Sequence, residues 1–244
     1  MSNNPLLNRP DLPKRFYQHV SVEQASVGFA VALDGRPVKT PARKRLAVPH
    51  RAVAEVIAAE WERQGERIDP ATMPMTRLVN TIVDGILDDP GPVRAEIARF
   101  AETDMLFYRA DAPERLVARQ RERWDPILAW AETRLGARFV LAGGVMHVAQ
   151  PPESLQAVRV HLDRFTDGFG VAALHQATTL TGSSLLALAL ADGHLSAEEA
   201  WALANLEEDW NIEQWGADGE AMALREQRWQ ALQVAVQLLP LKAG

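Results

Sequence analysis

Four carboxylates, Glu207, Glu208, Asp209 and Glu213, fall within about two turns of a stretch whose pattern reads as helix. On a helical wheel Trp201, Ala204, Glu208, Ile212 and Trp215 share one stripe at steps of three and four residues, which sets Glu208 among apolar neighbours. Like-charge repulsion and desolvation both oppose such crowding beside tryptophan. Three uses are open for it. Glu208 can pair internally with a basic residue of another helix, Arg225 or Arg228 of the following one being the nearest choices. The cluster from Glu207 to Glu213 can supply the acid pair of a hydrolase. Or it can meet a basic group on a partner, where charge-assisted hydrogen bonds fix orientation.

Other reactive constellations are weak. The histidines, His19, His50, His147, His161, His175 and His194, are scattered, and none is paired at i,i+4 with an intervening glutamate, so no metal site is expected. Gly182-Ser183-Ser184 lacks the Gly-x-Ser-x-Gly frame of a nucleophile turn, and close helix packing by small residues explains it. Lys39-Thr40 mimics the end of a phosphate loop, but Val38 stands where that loop needs glycine and the segment reads as strand. No cofactor is expected. The 244 residues contain no cysteine, which removes disulfide frameworks, thiolate metal sites and cysteine nucleophiles together. A net charge of −6 without a long run of like charge argues against a nucleic-acid footprint, and 47% hydrophobic with 24% charged residues is the balance of a folded protein. The most apolar run, Val171 to Ala191, carries His175, Gln176 and three threonines and is too polar for a membrane span. The N-terminus has neither a secretory core nor an arginine-rich amphipathic pattern, so a cytoplasmic protein is expected.

The elements that must position these residues divide in two. Arg15 to Val22 and Gly28 to Leu33 read as strands, and Asp34-Gly35 before a return strand over Arg36 to Thr40 is a strong type I′ hairpin signal, with Pro37 indicating an edge. A short strand at Leu46 to Val48 precedes a helix over His50 to Gln64 with Val53, Ala54, Val56, Ile57 and Trp61 on its apolar face, Glu60 at the margin, and Gly65 as a left-handed cap. From Thr76 the period is helical almost to the end. Pro113 opens a helix that must kink or restart at Pro126, Phe139 to Val148 has the turn chemistry of a hairpin, and the helix over Val171 to Ala191 has a break near Gly182. Ser196 and Glu199 form a capping box for a helix running to Gly216, and Asp218 to Leu239 supplies the last one. The expectation is an α+β protein: a small β-rich N-terminal domain with one helix over 11–75, then a larger all-α domain over 76–240.

Short motifs in a fixed order add to this. Arg15-Phe16-Tyr17, Gly28-Phe29, Leu33-Asp34-Gly35-Arg36, Val38-Lys39-Thr40-Pro41, Glu60-Trp61 with Gln64, and Met73-Pro74 with Thr76-Arg77-Leu78 resemble the N-terminal signature of the F-type ATP synthase assembly chaperones that act on the α subunit. The likeness continues in Asp104, Leu106, Tyr108-Arg109, Gln120, Trp124-Asp125-Pro126, Thr181-Gly182-Ser183, Leu206-Glu207-Glu208 and Trp215-Gly216, and spans about Arg15 to Leu239. It implies a non-enzymatic chaperone that binds the unassembled α subunit, shields it from aggregation and leaves as the α/β hexamer forms. It also implies a bacterial cytoplasmic setting, the mitochondrial matrix for eukaryotic members, a monomer, and no membrane insertion. Glu207 or Glu208 matches the acidic position linked to chaperone action, with Glu213 and Trp215 beside it as partner-binding candidates. Trp61, Gly35 and Arg77 match positions of structural importance. A permanent structural subunit of an assembly is the remaining alternative.

Overall fold

In the computed structural model, which describes residues 12–144 and 146–239, the chain forms two units that divide after Gly85. The first begins as a hairpin. Strand β1 (Val20–Gln24) pairs antiparallel with β2 (Phe29–Leu33) from Val20 opposite Leu33 to Gln24 opposite Phe29, and β3 (Arg36–Pro37) pairs with the end of β2. The turn between β2 and β3 is the one its residues call for: Asp34 has φ 48° and Gly35 φ 75°, both positive as type I′ requires. The Asp34 carboxylate also accepts the backbone N–H of His19 at 2.8 Å and of Gln18 at 3.1 Å, and these bonds, His19 first, hold its pKa below the usual range. Strand β4 (Ala47–Val48) pairs with the start of β2, where Gly28 has φ 71° and a Cβ would sit 2.1 Å from the Val48 carbonyl oxygen. The first strand starts later than its β-rich composition suggests, because Arg15 to Tyr17 is tied to the end of the first helix instead. Arg15 donates to the carbonyl of Gln64 at 2.6 Å and the Tyr17 hydroxyl to that of Trp61 at 2.6 Å.

Helix α1 (Arg51–Glu62) buries Val53, Ala54 and Ile57, packing beside β1 and β2. It closes at Arg63 in the right-handed region, and Gly65 does not take a left-handed cap. Glu60, 2% exposed, reaches α2 (Pro74–Gly85), where it accepts from Met75 N at 2.7 Å, Thr76 N at 2.8 Å and Thr76 Oγ1 at 2.6 Å. The two N–H groups are backbone donors that a helix N-terminus leaves unpaired, and the Thr76 hydroxyl adds a side-chain donor. This packing places α2 in the first unit, whereas the boundary expected after residue 75 cuts it off.

The second unit is helical: α3 (Gly91–Phe100), α4 (Glu114–Leu135), α5 (Pro152–Leu162), α6 (Gly168–Thr181), α7 (Ser184–Ala191), α8 (Ala197–Ala204), α9 (Leu206–Trp215) and α10 (Gly219–Val236). All eight residues of α7 are buried, so a helix apolar on every side forms the centre. The expected break at Gly182 is present: Gly182 ends α6 at φ 68°, and Ser183 caps α7 by accepting from Leu186 N at 3.0 Å. Asp104, fully enclosed, accepts from Ser183 Oγ at 2.9 Å, Leu185 N at 3.1 Å and Leu106 N at 3.1 Å. Burial pushes its pKa up to about 6 against the pull of those bonds.

Two stretches ahead of α5 are shaped by more than their local pattern. Helix α4 does not restart at Pro126 but continues through it, and both Pro126 and Glu122, whose carbonyl loses its helical partner there, are exposed residues. The stretch around Gly143-Gly144 is not a hairpin. Instead β6 (Ala142–Gly143) pairs parallel with β5 (Tyr108–Arg109), a distant segment that turn chemistry does not reveal.

Candidate functional site

Asn205 sets the geometry of the acidic segment. Where one helix is expected from Ser196 to Gly216, the chain forms α8 and α9 on either side of Asn205, whose φ of −104° and ψ of 16° leave the helical region. The Asn205 side-chain amide donates to the Trp201 carbonyl at 2.8 Å and its backbone N–H to the same oxygen at 3.0 Å. Local bonding of this kind is how asparagine competes with helix continuation. Glu207, Glu208 and Asp209 then fall in the first turn of a new helix, where negative charge complements the dipole. The single stripe from Trp201 to Trp215 is therefore broken. Trp201 packs on Trp229 with ring centroids 5.7 Å apart, Glu208 and Ile212 are half-buried, and Trp215 is 87% exposed.

Three of the four carboxylates have partners within the second unit. Glu207 accepts from the side-chain amide of Gln120 on α4, and the Gln120 oxygen accepts from Ala110 N at 2.8 Å. Glu213 receives a bidentate pair from Arg119, Nη1 to Oε1 and Nη2 to Oε2, both at 2.8 Å. That bond holds the Glu213 pKa low and the Arg119 pKa high, and Arg119 also lies 5.0 Å from the centroid of the Trp210 ring. Asp209 pairs with Arg225 at 2.6 Å, and Arg228 donates to the Leu180 carbonyl at 2.7 Å. Neither of the two arginines expected to neutralise Glu208 does so. Glu208 has no hydrogen bond or ion pair with any described residue.

This is a surface rather than a reaction centre. A glycosidase-like pair needs one carboxyl held protonated, and Glu213 is shifted the opposite way. Among the described residues no group of histidine, aspartate and glutamate is placed to hold a metal ion. What the arrangement offers is a helix clamped to α4 through Glu207 and Glu213 and to α10 through Asp209, carrying one unpaired carboxylate and one bare indole. The signal for the Asn205 break is local, an asparagine with three successive acids starting two residues on, and the helical period of the apolar residues masks it.

The positions expected to be structural lie in the first unit. Gly35 holds the hairpin turn. Trp61 is half-buried rather than buried, edge-on to Tyr17 at 5.7 Å, with its indole N–H unpartnered. Arg77 is exposed on α2, and its guanidinium makes no hydrogen bond or ion pair with any described residue.

A sequence model for the ATP12 chaperone protein matches residues 14–132. Protein atp12, mitochondrial, of Schizosaccharomyces pombe is 26% identical over 216 residues, covering 84% of this chain and 74% of that protein. The crystal structure of the Atu1473 protein from Agrobacterium tumefaciens is 50% identical, covers 94% of this chain and 86% of its own, and superposes with a TM-score of 0.89. Atp12 from Paracoccus denitrificans is 39% identical over 94% of this chain and 98% of its own, with a TM-score of 0.85. This chain belongs to the ATP12 chaperone family. The coarse function follows: a chaperone in ATP synthase assembly, not an enzyme, which sets aside the hydrolase reading of the acidic cluster. Among the described residues no helix is long and apolar enough to cross a membrane. The ATP12 family match contains Arg119 and Gln120 but ends before Glu207 and Glu213, so the clamp joins residues inside the matched segment to acids beyond it.

Proposed function

We propose that this ATP12-family chaperone binds the unassembled α subunit of the F-type ATP synthase head, prevents its aggregation, and is released as the α/β hexamer forms. The observation that carries this reading is Trp215, 87% exposed at the end of α9 and two turns from Glu208 on the same side of the helix. A large bare indole is the kind of side chain that anchors an interface, and an unpaired carboxylate beside it is ready to accept from a basic group. The bonds of Glu207, Asp209 and Glu213 hold α9 in place before any partner arrives, which lowers the entropy lost on docking. Glu208 is the operative member of the Glu207–Glu208 pair in this reading, because Glu207 is already engaged. The setting is the bacterial cytoplasm and the chaperone acts as a monomer; the two bacterial relatives, alike over nearly the whole chain, support that setting.

The test is suppression of α-subunit aggregation by light scattering, with parent, Trp215→Ser and Glu208→Gln compared at equal folded concentration. Loss of an anchoring indole costs about 2 kcal/mol or more, so Trp215→Ser is expected to need roughly thirtyfold more protein for the same protection. Equal protection by both variants would remove the α9 surface from the function.

A further inference from the structure

Residues far apart in sequence converge on a groove of about 480 Å³ in the first unit, lined by Phe16, Tyr17, Arg36, Lys39 and Trp61 among others. Its floor is apolar, with Leu33 and Val38 buried beneath. Its wall is aromatic: Phe16 meets Tyr17 edge-on at 5.4 Å and Tyr17 meets Trp61 edge-on at 5.7 Å. Phe16 is 72% exposed, although nothing in the hairpin or in α1 requires a bare ring there. The rim is cationic. The side chains of Arg36 and Lys39 are exposed and make no hydrogen bond or ion pair with any described residue. The one carboxylate lining the groove, Asp34, already accepts from the backbone of Gln18 and His19. Arg36 feels the nearby Asp34 carboxylate, but neither it nor Lys39 is held by a hydrogen bond or ion pair, and two such cations over an aromatic wall are complementary to a ligand that carries both negative charge and an apolar side chain.

We propose that this groove is a second binding site, separate from the α9 surface, for an extended acidic peptide segment bearing an aromatic or large aliphatic side chain. The family's activity selects the ligand class, since a chaperone's ligands are polypeptides. The apolar side chain lies against Phe16 and Trp61, and flanking carboxylates accept from Arg36 and Lys39. The site does not depend on the α9 reading, because no residue is shared between them.

The Trp61 indole reports on the site directly. In the full-length protein labelled with nitrogen-15, its N–H resonance is identified by comparison with Trp61→Phe. Short blocked peptides with one phenylalanine among glutamates, among glutamines, or among lysines are then titrated. The glutamate peptide is expected to shift the Trp61 resonance saturably, with the glutamine peptide about tenfold weaker and the lysine peptide without effect. The double variant Arg36→Gln, Lys39→Gln, altered only at exposed side chains, is expected to lose about tenfold in affinity for the glutamate peptide. No saturable shift at millimolar glutamate peptide overturns the proposal, as does equal binding of the glutamine peptide or unchanged binding by the double variant. A shift that grows with protein concentration alone assigns the groove to a second copy of the chain, and a shift on deleting residues 1–11 assigns it to that segment. Either result also overturns the proposal.

Discussion

Glu60→Gln tests the least obvious contact in the first unit. The change keeps size and shape but turns one oxygen of a buried carboxylate into a donor. In the parent both oxygens accept, one from Met75 N at 2.7 Å and the other from Thr76 N at 2.8 Å and Thr76 Oγ1 at 2.6 Å. The remaining amide oxygen of glutamine can serve Thr76, but then the new NH₂ faces the Met75 N–H. A hydrogen bond to a charged group contributes about 1.5–3 kcal/mol, and negative charge at a helix N-terminus about 0.3–1 kcal/mol at exposed sites and up to about 2 in partly buried ones. The expected loss is therefore about 2–4 kcal/mol, a large share of the stability of a small unit. Glu55→Gln on the same helix is the control. Its exposed pair with Arg51 at 2.9 Å is worth about 0.5 kcal/mol or less. Because the chain has two units, a single unfolding midpoint is a poor readout. Amide hydrogen exchange at Met75 and Thr76 reads the right place, with urea unfolding followed at residues of β2 and α1. A loss below about 0.5 kcal/mol, or exchange at Met75 no faster than in the control, would show that α2 does not depend on this cap.

Three further outcomes follow from particular contacts. The pKa of Asp104 is raised in the fold, so the folded state holds this proton more tightly than the unfolded chain. Its contribution is complete below the ordinary carboxylate range and is lost as pH rises through about 6. Acidification from about pH 7.5 to 5 should thus stabilise the parent relative to Asp104→Asn by about 1 kcal/mol, and parallel urea stabilities at the two pH values would refute this. Trp61→Arg removes the edge-on contact with Tyr17 and charges the wall of the groove. Because Trp61 is half-buried, the cost is expected nearer 2 than the ~3–5 kcal/mol of a full core truncation. An unfolding profile identical to the parent's would assign the ring no packing role. ATP is expected not to bind: Lys39 is exposed beside Thr40, whose hydroxyl is bonded to Asp84 at 2.5 Å, and no run of backbone amides converges there. Tight, saturable heat of binding in calorimetry would contradict this.

Legibility followed distance along the chain. The Asp34-Gly35 turn, the Ser196–Glu199 capping box and the Gly182-Ser183 break are decided by residues within a few positions of one another, and each forms as its residue types dictate. The parallel pairing of Tyr108 with Ala142, the capping of α2 by Glu60 and the continuity of α4 through Pro126 depend on neighbours or solvent that local pattern does not name. The acidic site divides the same way. That carboxylates gather between Glu207 and Glu213 is visible in the sequence, but which of them is free is decided by Arg225, which takes Asp209, and by Gln120 and Arg119, which lie 87 and 94 residues from Glu207 and Glu213 in the chain. Once those two side chains are in place, Glu207 and Glu213 are structural clamps, and replacing either changes how α9 is held as well as what it displays. Glu208 and Trp215 can be replaced without breaking any hydrogen bond or ion pair of their side chains in the described chain, so a defect in either, with the fold intact, is a defect in what the surface meets.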